Sequence, residues 1–160
     1  MTKSKTTRAL LAATCVAGSA CVSGPQHREP PKPAECPPGS DETLRRFNLM
    51  AGRLEPIIIP PFKANSPEAL VSEGPVTGEV LPPWGDLPGH TRIYGELFFA
   101  KGHVYGRFTQ ARLPDGGFIP VCLELVTSHE KLGTAMEPGS TSEKARVPSM
   151  MFIRPVFRFH

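Results

Sequence analysis

The sequence contains no apolar run of the roughly 20 residues that a bilayer-spanning helix needs, which excludes a permanent transmembrane helix. It lacks the glycine-rich loop, the strand lysine, the H-R-D loop and the D-F-G triplet with which protein kinases hold nucleotide and magnesium, and it is too short for that fold. Kinase catalysis by this chain is therefore not expected. No GxSxG elbow is present to hold a serine nucleophile. The four cysteines come with no CxxC or HxxxH spacing, and the histidines at 27, 90, 103, 129 and 160 are scattered, so neither a metal nor another cofactor is expected. An assembled Asp86, His90 and His103 site would require their chance convergence in the fold. Charge of one sign is also missing once the start of the chain is set aside. Three of the 18 Lys and Arg, and none of the 15 Asp and Glu, fall in residues 1–20, so the remainder is balanced. The basic pI belongs to the N-terminus, and nucleic acid is not an expected partner.

What is present begins with that N-terminus. Lys3, Lys5 and Arg8 precede an apolar run from Ala9 to Ala17, and small residues lead to Cys21, the pattern of a signal peptide over residues 1–20. The Ser19-Ala20-Cys21 ending resembles a bacterial lipobox, which makes Cys21 the expected lipidation site and the membrane a partner through that lipid. Gly18 stands where such boxes usually carry an aliphatic residue, so ordinary cleavage and secretion remain the alternative. Val22 lacks the acidic character that often marks inner-membrane retention, which favours the outer membrane. Cys15 leaves with the signal peptide, and Cys36 and Cys122 remain. In an oxidising compartment these form a disulfide most simply, worth about 4 kcal/mol in the chain-entropy model; two buried free thiols are the alternative.

Residues 21–38 carry prolines at 25, 30, 31, 33, 37 and 38 and read as an extended spacer between membrane and domain, or as a proline-rich ligand. Residues 39–160 form one small domain. Ser40 is placed as the cap of a short helix, with Leu44, Phe47 and Met50 or Ala51 at helical spacing and Gly52 as the stop. Strands are expected at Ile57–Ile59 and Val76–Leu81, with polar connections at 62–75 and 127–149. In Thr91–Leu125, a hairpin turn at Lys101-Gly102 sets Phe99 opposite Val104, Leu97 opposite Gly106, Gly95 opposite Phe108 and Glu96 opposite Arg107. One face is then apolar and the other polar. Phe118–Val126 follows as a strand with Cys122 on the face away from the core, and residues 151–160 read as an edge strand because of Pro155. The fold class expected is mainly β, a small antiparallel β-sandwich or barrel with one short N-terminal helix. Trp84, Tyr94, Phe98 and Tyr105 form the candidate partner surface, unless that face is itself covered.

Two stretches, Cys36-Pro37-Pro38-Gly39 and Gly102 to Thr109 continuing through Pro114-Asp115-Gly116 to Pro120–Leu125, resemble a family of small exported lipoproteins of myxobacteria. Some of its members are catalogued as, or beside, serine/threonine protein kinases. The resemblance covers most of residues 36–125 and implies compartment and fold more than activity. The expected function is a non-catalytic, lipid-anchored module that binds or scaffolds an envelope protein. An accessory component of a serine/threonine kinase system and a small envelope hydrolase are the alternatives.

Overall fold

The structure, a computed structural model, describes residues 28–59, 67–81 and 83–160. The signal peptide, Cys21 and the first part of the spacer lie outside the described residues. The elements run β1 (Ala34–Glu35), α1 (Ser40–Arg46), β2 (Glu55–Ile58), β3 (Glu68–Ser72), β4 (Gly74–Val80), β5 (Thr91–Ala100), β6 (His103–Arg112), β7 (Phe118–Val126), β8 (Thr134–Ala135), β9 (Lys144–Pro148), β10 (Met150–Pro155) and β11 (Arg158–Phe159). No helix among the described residues is long and apolar enough to cross a membrane.

Alternation of apolar and polar residues closes six of these strands into an antiparallel barrel in the order β5-β4-β2-β10-β7-β6, with β6 returning to β5. The inward residues, among them Ile57, Val80, Leu97, Phe108, Leu123 and Ile153, are fully buried and fill the interior. Of the two architectures expected, the chain therefore adopts the barrel. The hairpin has the expected pairs, Phe99 with Val104, Leu97 with Gly106, Glu96 with Arg107 and Gly95 with Phe108. At Gly95 the need for glycine is stronger than facing a large side chain: a Cβ there would lie 2.1 Å from the Arg107 carbonyl oxygen.

The helix is one turn shorter than its apolar spacing suggested. Gly39, in the left-handed region at φ 83°, is the cap, and Ser40 is the first helical residue, donating its hydroxyl to the Pro37 carbonyl at 2.8 Å. Asn48 at φ 52° ends the helix, leaving Met50 exposed beyond it. Both expected polar connections contain strands, since β3 and β9 pair with each other from Glu68–Pro148 to Ser72–Lys144. Their inward residues Ala69, Val71, Ala145 and Val147 join the main core. Pro155 does not mark an edge. β10 lies inside the barrel between β2 and β7, and Pro155 is its last residue, past the end of its β2 pairing, where the donor it lacks has no β2 partner to miss. The chain then turns, so that Phe157 is exposed while Phe159 is buried in the β1–β11 ribbon.

That ribbon covers the outer face of β7. Cys122, pointing away from the barrel interior, is bonded to Cys36 with the Cα atoms 5.5 Å apart, and the two sulfurs sit in a second small cluster with Ala34, Val156 and Phe159. The described part of the spacer does not stand free: Lys32 and Pro31 offer their carbonyls to Arg107, and Arg28 pairs with Glu73.

Candidate functional site

The outward residues of β5 are Arg92, Tyr94, Glu96 and Phe98, because Ile93, Leu97 and Phe99 between them face the core. Beside them the barrel wall is irregular. The β5–β6 register shifts between Tyr94 and Gly95, and the β6–β7 register shifts between Phe108 and Gln110. Thr109 sits at both irregularities, and Thr109 and Gln110 are consecutive exposed residues. A β-bulge re-aims side chains and increases local twist. Here it accompanies a groove of about 830 Å³, with Tyr94, Phe98 and Thr109 on one side, Phe118 and Pro120 from β7, and Ala34 and Phe159 of the ribbon along its margin.

Aromatic contacts set the shape of this groove. The rings of Tyr94 and Phe118 lie 6.2 Å apart and tilted by 43°, within the range of favourable aromatic pairs. Arg112 lies 5.6 Å above Phe118. Arg107 lies 5.9 Å from the Phe98 ring centre and 5.1 Å from that of Phe159, with Nη2 donating to the carbonyls of Lys32 at 2.6 Å and His160 at 2.8 Å. One guanidinium thus ties the spacer and the last residue to the barrel. Burial lowers its pKa from the ordinary value, with Glu124 opposing that shift.

Glu124, also outward on β7, is the best-buried acid of the molecule's described part at 1% exposure. It accepts from the His160 backbone N–H and lies 2.9 Å from His160 Nδ1 and 3.5 Å from Arg154 Nη2. A buried carboxylate needs such partners to offset its lost hydration. It thereby holds His160, the exposed residue that follows β11, to β7. The sequence carries a signal for it, an acid inside the otherwise apolar Val121–Val126 run, but not the identity of its partners.

The four aromatic residues expected on the partner surface separate. Tyr94 and Phe98 line the groove. Tyr105 is the cross-strand partner of Phe98 but stands outside the groove, 6.2 Å from the His103 ring and against Gly133. Trp84 is not on this surface at all. It is 1% exposed in the main core, where the turn it begins is tied to the helix end by the Asp86 N–H donating to the Phe47 carbonyl at 2.8 Å. Its large apolar ring gains more from the interior than from solvent, a preference that local spacing does not show. Phe118 takes its place in the groove. It was readable as an outward residue, but its meeting with Tyr94 depends on how β6 and β7 pair.

The two histidines of the assembled-hydrolase alternative are kept apart. His90 precedes the start of β5 and pairs with Glu79, Nδ1 to Oε1 2.7 Å, whereas His103 lies past the other end of β5, at the hairpin turn. Among the described residues no three His, Cys, Asp or Glu side chains are grouped to hold a metal. No family model matches the chain, and no curated protein matches it in sequence.

Proposed function

We propose that the protein is a non-catalytic, lipid-anchored module of the cell envelope that binds or scaffolds a protein partner through the groove between β5, β6 and β7. The carrying observation is the groove itself, an aromatic, partly apolar depression on the outside of a barrel whose interior is already filled. Exposed apolar surface of this kind, rimmed by polar groups, is the usual mark of a contact surface. The signal-peptide and lipobox pattern supports export and anchoring, as does the resemblance to exported lipoproteins. The Cys36–Cys122 bond fits an oxidising compartment.

Two measurements test the reading. The intact mass of protein extracted from its native membranes is expected to match residues 21–160 plus a diacylglycerol and a further acyl chain, with two thiols alkylated only after reduction. An unprocessed mass with free thiols would overturn the anchor and the compartment. A photo-cross-linking amino acid at position 94 is expected to give one discrete protein adduct in cells, lost when Phe98 and Phe118 are both replaced by serine. An adduct pattern indifferent to those replacements would overturn the groove.

A further inference from the structure

A basic cleft adjoins the groove and narrows the chemistry of what the groove binds. Arg92 of β5 and Arg112 of β6 are direct cross-strand partners. On its other side Arg92 pairs in register with Glu79 of β4, and Arg112 with Phe118 of β7. One row across four strands therefore reads acid, base, base, aromatic. Like charges placed directly opposite one another destabilise a strand pair, and the acid of this row is turned to His90. Arg112 rests on the Phe118 ring. Arg92, Arg112 and His90 together line an open cleft of about 330 Å³ with Leu113 and Pro114. The next outward pair along the same strands is Tyr94 with Gln110, both of them groove residues, and Phe118 belongs to the arginine row and to the groove at once.

We infer that cleft and groove are one site, and that its occupant is a segment of a partner protein carrying a carboxylate seated between Arg92 and Arg112 and an apolar or aromatic body laid over Tyr94 and Phe118. This rests on the groove being the partner surface. Two guanidiniums side by side offer the planar donor geometry that carboxylates accept. Formal charge along the row selects a carboxylate over a phosphate: two arginines against Glu79 leave a single positive charge, which a monoanion balances and a dianion exceeds. The aromatic wall selects a protein over a membrane: Tyr94 and Phe118, 6.2 Å apart beside the two arginines, match an acid joined to an apolar or aromatic side chain, which a polypeptide segment supplies.

The test uses the full-length protein in detergent, with the arginine Nε–Hε and aromatic resonances followed by NMR. The probes are N-acetyl-phenylalanine, its amide, and inorganic phosphate. The acid is expected to shift Arg92, Arg112, Tyr94 and Phe118 together and to bind about tenfold more tightly than the uncharged amide, a gap that R92Q/R112Q closes. Both substitutions are at exposed positions, so an unchanged melting temperature verifies the fold. Equal binding of acid and amide, or no arginine shift up to the solubility of the acid, overturns the inference. Phosphate binding more tightly than the acid overturns the carboxylate assignment, and arginine-dependent co-sedimentation with vesicles of phosphatidylglycerol overturns the protein source. If the cross-link from position 94 persists unchanged in R92Q/R112Q, the groove stands and this inference fails; if the parent protein gives no cross-link, the groove reading itself has failed.

Discussion

β7 separates two regions built on different principles. Inside it, the barrel is held by apolar burial, with Phe108, Leu123 and Leu125 fully enclosed among side chains from the other strands. Outside it, the ribbon of β1 and β11 has two residues per strand and a cluster of only a few apolar groups. So small a layer cannot bury enough surface to offset the entropy of ordering it. It is fastened instead by one disulfide, by Arg107 on the backbone carbonyls of Pro31, Lys32 and His160, and by Glu124 on His160. The lesson is that the groove has one wall from each region: a barrel wall set by packing, and a ribbon margin set by discrete fastenings.

Breaking each region separately sharpens that contrast. Phe108→Ala should cost about 3–5 kcal/mol of global stability, because a large enclosed ring leaves a cavity; denaturant unfolding should show the loss as one cooperative transition. Removing the disulfide as Cys36→Ala with Cys122→Ala should cost about 2–4 kcal/mol. Hydrogen exchange should then show early opening at Ala34, Glu35 and Phe159 while the β5–β6 amides stay protected. Uniform acceleration across both regions would erase the distinction. Glu124→Gln keeps the side chain's shape but removes its charge, and should cost about 1–3 kcal/mol, read as faster exchange of the His160 amide ahead of any barrel strand.

The smallest effect separates two buried acids. Glu55, on the barrel strand β2, has its pKa raised above the ordinary 4.5 by burial, with Arg53 partly opposing the shift. A raised carboxyl favours the protonated folded state, so its penalty is absent well below pH 4.5, grows as pH rises through the window up to its folded pKa, and is complete above it. Glu55→Gln should therefore stabilise the protein by a fraction of a kcal/mol at pH 7 and leave it unchanged at pH 3, as thermal melts at the two values would show.

Much of the barrel could be read directly. The β5–β6 register followed from matching glycines to large side chains and faces to polarity, because a slip of one residue exchanges the two faces of a strand. β7 and the outward direction of Cys122 followed from the same alternation. β3 and β9 could not be read, since each is short and its partner lies more than 70 residues away. Even where register was legible, side-chain destination was not. Arg107 stands opposite Glu96, yet its guanidinium goes to the carbonyls of Lys32 and His160.

The sequence by itself determined the mainly β class, the hairpin, the candidate cysteine pair and the outward direction of Tyr94 and Phe98, all of which depend on local periodicity or on simple counting. Only the tertiary structure decided that the sheet closes as a barrel, that Trp84 is interior, that Phe118 meets Tyr94, and that Arg92 and Arg112 form a row beside them. The physical reason is that alternation specifies which face a residue takes, whereas closure, bulges and long-range pairing decide which residues of that face become neighbours.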